Sequence, residues 1–156
     1  MKLTMVLCDY VAVADGKLYI SGGGWNTTGP VPVPTAIALL LEVPWTDANR
    51  KISVDLRLLH EDGQPVTQPT PTGQPAAVVV RGAVEVGRPA GAVEGTPLPV
   101  PMPINLPPIT LPPGQGFYWE AEIDGETRED WRLSFRTRPL PPNAGASSDP
   151  ASLPDF

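Results

Sequence analysis

The chain has 156 residues, of which 41% are hydrophobic, and a formal net charge of −6. That is enough apolar material for one domain with its own core, and too much for a disordered chain. The acidic balance disfavours nucleic acid as a partner, and no run approaches the ~20 apolar residues that span a bilayer.

Proline is the outlier at 22 residues. Inside a helix it removes a hydrogen bond and clashes with the preceding turn, so the composition favours edge strands, turns and extended connectors. The first segment, MKLTMVLCDYVAVADG, reads as a strand rather than a leader. Its apolar run 3–8 is broken by Asp9 and is too short for a signal core. Leu7 is too large to precede a lipidated Cys8. A secreted location is not expected. Cys8, the single cysteine, has no partner for an internal disulfide and reads as a small buried residue.

Asp15-Gly16 follows, a pair that tolerates positive φ and suits a hairpin between 11–14 and 17–20. Next comes LYISGGGWNTTGP. A phosphate-binding glycine loop needs a helix after it, whose free N–H groups face the anion. Trp25-Asn26-Thr27-Thr28-Gly29-Pro30 is no helix start, and no Gly-Lys-Ser/Thr pair is present. The glycines read as a bend that leaves strand 18–21 and delivers Trp25 to the core, with no room for a bulky side chain at Gly23.

PTAIALLLEV, from Pro34, is a continuous apolar run suited to a strand covered on both faces. TDAN at 46–49 suits one helical turn capped by Thr46. In KISVDLRLL, Ile52, Val54, Leu56 and Leu58 alternate with polar residues, as in a half-buried strand. His60 then meets the turn Glu61-Asp62-Gly63. PAAVVVRGAVEV, from Pro75, is again β-rich and continuous.

Segment 88–113 is different material. Proline alternates with Leu98, Val100, Met102, Ile104 and Leu106. It reads as extended, polyproline-like chain on the surface with one greasy face. That face lies either on its own domain or, as a strap, on a neighbouring subunit. FYWEAEI and WRLSF complete the strands. Phe117, Trp119, Ala121 and Ile123 share one phase, as do Trp131, Leu133 and Phe135. Asp124-Gly125 joins them as a hairpin of 117–123 with 127–135. The tail 139–156 is rich in proline, serine and alanine and lacks a core pattern.

Catalytic chemistry lacks parts. There is one histidine and one cysteine, and no Gly-x-Ser-x-Gly elbow. Two such ligands are too few for zinc. Asp15, Asp62 and Asp124 are loop aspartates of the kind that hold calcium, yet each precedes a glycine and stands alone, so turn chemistry is the better reading. Glu120 and Glu122, and Glu126, Glu129 and Asp130, fall on exposed faces or turns as solvated charge. No cofactor is expected. Trp119 and Trp131 belong to the core phase, while Trp25 and Trp45 lie in loops.

The pattern indicates an all-β antiparallel sandwich, immunoglobulin-like or C2-like, of 7–9 strands with proline-rich crossovers. It spans 1–138, with 139–156 as a tail. GKLYISGGGW, VPWTDANR, LLHEDGQPV and LPPGQGFYWEAEIDGETREDWRLSFRTRP together resemble an uncharacterised domain family found in actinobacteria and their phages. The likeness covers most of 1–139. It implies a sandwich and an actinobacterial or phage origin, and carries no activity. The expected function is a non-enzymatic assembly protein, a phage virion component such as a capsid decoration or accessory protein. Its partners would be the major capsid protein or further copies of itself, in a possible homo-oligomer. The contact residues expected are Leu98, Val100, Met102, Ile104, Trp25, Trp45, Leu153 and Phe156. The alternative is a cytoplasmic actinobacterial binding module for a protein or small ligand.

Overall fold

The first strand expected from the sequence is two. β1 (Lys2–Cys8) stops at Asp9, and β2 (Tyr10–Ala14) turns at Asp15-Gly16 into β3 (Lys17–Ser21). Both turn residues have positive φ, +50° and +68°, as a two-residue hairpin turn requires. The computed structural model describes residues 1–142.

After the glycine bend come a two-residue strand, β4 (Thr27–Thr28), and β5 (Thr35–Val43). β5 is the centre of a three-stranded sheet. Its residues Ala36, Ile37, Ala38 and Leu39 are all buried, so both faces are covered as its unbroken apolar run implies. A single 3-10 turn at Trp45–Asp47 stands where TDAN suggested a helical turn, but Pro44 is its cap and no side chain caps it. The expected Thr46 cap is thus corrected. Pro44 supplies the fixed φ, and its carbonyl accepts from the Asp47 N–H at 2.9 Å.

β6 (Lys51–His60) buries Ile52, Val54, Leu56 and Leu58 as its alternation predicts. The short strands β7 (Thr67–Gln68) and β8 (Ala76–Ala77) form a small ribbon, and β9 (Val79–Glu85) pairs with β6. The run from Pro75 is therefore an edge, with Arg81, Gly82, Ala83 and Glu85 exposed. β10 (Leu98–Leu106), β11 (Gly116–Ile123) and β12 (Glu126–Thr137) complete the chain. Asp124 and Gly125 take φ of +50° and +79° at the β11–β12 turn.

The main architecture is mainly β, with twelve strands and no α-helix among the described residues. The sheet orders are β1-β5-β10, β4-β12-β11-β6-β9, and the ribbons β2-β3 and β7-β8. The β1 edge turns towards β12, where Arg128 donates to the Met1 carbonyl at 3.3 Å, and the sheets include a curled half-barrel. One core takes Ile37, Leu39 and Leu41 from the smaller sheet and Leu56, Trp119 and Trp131 from the larger.

The largest departure from the sequence reading is β10. The segment expected as polyproline-like connector is, from Leu98 to Leu106, an antiparallel strand on β5. Three prolines, at 99, 101 and 103, sit inside it. Neighbouring residues of a strand send their N–H and C=O groups to opposite sides, and proline has no N–H to send. The donors to β5 are therefore Val100, Met102 and Ile104, opposite Leu41, Leu39 and Ile37. The prolines turn to the outer edge, where a missing donor costs nothing. Period-two proline thus blanks the free edge of this sheet.

Candidate functional site

The structure places the expected contact residues in three situations. Leu98 is buried, and Val100, Met102 and Ile104 pack against the core from β10. The greasy face of the proline segment lies on its own chain. Trp25 and Trp45 are each half-buried beside a concavity. Leu153 and Phe156 lie outside the described residues.

Trp25 sits where the glycine bend delivers it. Gly22 and Gly24 have φ of +59° and +91°, and the Gly24 N–H donates to the Leu7 carbonyl at 2.8 Å. The indole meets Phe135 edge-on at 6.4 Å. Beside it is a cavity of about 40 Å³ walled by Leu7, Leu58, Trp119, Phe135 and the loop 28–33. Trp25 Nε1 is buried and finds no acceptor among the described residues. A space of that size holds a water or two, well below the ~300 Å³ where small-molecule sites begin.

Trp45 lines an open groove of about 490 Å³ with Pro44, Pro97 and the Lys2–Glu42 ion pair. Arg88 lies 4.8 Å from the ring centre and donates to the Trp45 carbonyl at 2.9 Å, so one face of the indole is covered. Met1, Thr46 and Gly95 complete the lining.

Sequence reasoning missed the most exposed aromatic surface among the described residues. Tyr10 and Tyr19 are 56% and 55% exposed, although each lies in a strand. In the β2–β3 ladder Tyr10 faces Ser21 and Ala12 faces Tyr19, so the two rings are diagonal neighbours on one side. The opposite side puts Val11 and Leu18 onto Cys8, Ala36 and Ala38. Asn105 clamps the ribbon to the sheet. Its Oδ1 accepts from the Val11 N–H at 3.2 Å, and its Nδ2 donates to the Val11 carbonyl at 2.8 Å. One side chain thereby satisfies both backbone groups of Val11 as a neighbouring strand would. The available signal was the phase: Tyr10, Ala12 and Ala14 alternate with Val11 and Val13.

Several other chemistry-bearing residues are engaged in structure. Asp124 accepts from Arg50 at 2.7 Å and from the Ser53 N–H at 3.0 Å. The Arg50 hydrogen bond holds its carboxyl below the usual carboxylate range. Asp62 accepts from the Gln64 N–H at 3.0 Å, a turn contact. Glu120 corrects the expectation of a solvated carboxylate. It is 9% exposed, beneath Arg132 at 2.9 Å, because β11 lies between β6 and β12 and its outer face is crossed by their long side chains. Glu122 pairs with Arg57. Cys8 is fully buried, and desolvation pushes its thiol up. His60 packs on Phe117 at 5.3 Å.

The profile of a family of unknown function, DUF6941, matches residues 3–136. The chain belongs to that family. The matched span runs from β1 into β12, so the DUF6941 region takes in the tyrosine ribbon, the proline-bearing strand and both tryptophan sites. No curated protein and no solved structure matches the chain.

Proposed function

We propose that the chain is a non-enzymatic assembly protein that docks on neighbouring protein subunits. In its most concrete form it is a capsid decoration or accessory protein in the virion of an actinobacterial phage. The supporting observation is the tyrosine face of the β2–β3 ribbon. Tyrosine offers large contact area while losing few rotamers on binding. The Asn105 clamp holds that face in place beforehand, which lowers the ordering cost of association. The partner in this reading is the major capsid protein or another copy of the chain. The immunoglobulin-like or C2-like sandwich remains the architectural reading. Its support is that the three-stranded and five-stranded sheets share one core.

The test is mass spectrometry of purified particles carrying either the wild-type chain or the double variant Tyr10→Ser, Tyr19→Ser. The wild type is expected in a fixed ratio to the major capsid protein. The variant, with an unchanged melting curve, is expected to be depleted about tenfold or more, as when aromatic anchors of an interface are removed. Absence of the wild-type chain from particles would overturn the virion reading. Equal incorporation of the variant would overturn the ribbon as the contact.

The second reading is a cytoplasmic binding module, and the Trp45 groove favours it. Its volume of about 490 Å³ falls within the ~300–1,000 Å³ of small-molecule sites. Particle proteomics separates the two readings.

A further inference from the structure

We infer that β9 is a self-association edge, and that two copies of the chain join there antiparallel across a two-fold axis at Ala83. The inference stands on the backbone of β9 and is independent of the tyrosine ribbon and of any virion.

The argument begins with which backbone groups are free. The Leu58 N–H donates to the Val78 carbonyl at 3.1 Å, on the side of β6 that faces β9. The Asp124 N–H donates to the Ser53 carbonyl at 3.1 Å, on the side that faces β11. Even-numbered residues of β6 therefore bond towards β9 and odd-numbered ones towards β11. Through the pairs Leu56↔Val80, Val54↔Gly82 and Ile52↔Val84, the even residues of β9 are the bonded ones. The N–H and C=O groups of Val79, Arg81, Ala83 and Glu85 point outward, and among the described residues no strand lies beyond them.

The other edges are short, blanked or faced by another strand, and β12 pairs with β4 at Arg136 and Thr137 and lies against β1, with Arg128 on the Met1 carbonyl. β10 presents prolines at 99, 101 and 103 on its outer side. The outer edge of β1 is turned to β12 and gives its Leu7 carbonyl to Gly24. β4, β7 and β8 have two residues each. In β3 the Val11 bond to Asn105 fixes the alternation, and only Leu18 and Ile20 face outward. A chain that blanks the β10 edge with three prolines leaves β9 with its full set of donors and no proline.

Side chains choose the occupant and the register. Antiparallel pairing of outward residues allows several registers, spaced by two residues. With Ala83 opposite Ala83 of the second copy, Arg81 stands opposite the second copy's Glu85, and symmetry repeats that pair. A shift of two residues either way separates the charges. Directly opposed unlike charges favour a pairing, and opposed like charges penalise it. The axis itself carries the small side chain, so the two backbones meet unhindered, and Gly82 precedes it. A second copy fits this edge because the charge pattern is complementary to itself, as an isologous contact requires.

The test is sedimentation equilibrium of the purified chain, wild type and variants, with melting curves as the folding control. The wild type is expected to dimerise. Ala83→Pro deletes an outward donor in each copy and leaves the β6 ladder whole, so it should abolish the dimer while preserving the fold. Arg81→Glu and Glu85→Arg should each weaken the dimer about tenfold or more by opposing like charges, and the double reversal should restore it. A monomer at millimolar concentration would overturn the inference. So would a dimer indifferent to Ala83→Pro, or one that the double reversal fails to restore. The charge variants keep the inference decidable if Ala83→Pro does not fold.

Discussion

Met102→Pro is expected to lower stability by roughly 3–5 kcal/mol, while Pro101→Ala beside it changes stability by less than about 1 kcal/mol. The two positions differ in the direction of their backbone groups. Met102 faces Leu39 across the β5–β10 ladder. A proline there withdraws the donor from a central strand whose Leu39 is fully buried. It also removes a side chain that packs against the core. An unpaired buried carbonyl and a lost apolar side chain each cost a few kcal/mol, and here they fall together. Pro101 has no donor and bonds to nothing on β5, so alanine changes only the freedom of the unfolded chain. Urea unfolding of the two variants measures the difference. Equal effects would mean that the segment is not held by an alternating ladder.

Gly22→Val is the second severe change, expected to cost roughly 2–4 kcal/mol, and more than Gly23→Val. Gly22 has φ of +59°, a region that a β-branched residue enters only under strain. A Cβ there would lie 2.1 Å from Asp9 Oδ2 and 2.7 Å from its Cγ. Gly23 lacks the positive φ, and its Cβ would meet the Ile20 Cγ2 methyl at 2.8 Å, the end of a half-exposed side chain. The sequence reading placed the demand on the middle glycine of the three. The geometry moves it to the first, where the chain leaves β3 and the Asp9 N–H bonds back to Ser21 and Gly22. Thermal melts of the two variants decide between them. A Gly23→Val chain less stable than Gly22→Val would contradict this account of the bend.

Legibility followed the kind of signal. Where only one face meets the core, as in β6 and β11, period-two alternation placed Ile52 to Leu58 and Phe117 to Ile123 correctly. Asp15-Gly16 and Asp124-Gly125 announced two-residue turns, since few other pairs accept positive φ twice. Continuous apolar runs were ambiguous. The run from Pro34 became the buried centre of a sheet and the run from Pro75 became an edge. Only tertiary neighbours distinguish those outcomes.

The proline segment misled for a physical reason. Proline forbids donation at its own residue, and the reading extended that veto to the whole segment. A veto that falls only on every second residue leaves the other side of the strand free to pair. The proposed contact surface was hidden in the same way. Leu98, Val100, Met102 and Ile104 stood out as an apolar face, yet their own core uses them. Tyr10 and Tyr19 looked like ordinary strand residues, and it takes the packing of Val11 and Leu18 on Ala36 and Ala38 and the Asn105 clamp, 94 residues from Val11, to turn their ribbon outward as a fixed face.

Amide hydrogen exchange along residues 97–108 tests the central claim most directly. The amides of Val100, Met102 and Ile104 should exchange as slowly as those of Leu41, Leu39 and Ile37, which they face across the ladder. Exchange at the rate of an exposed loop would show a polyproline connector lying on the surface, and would remove the blanked edge on which the account of β10 and β9 depends.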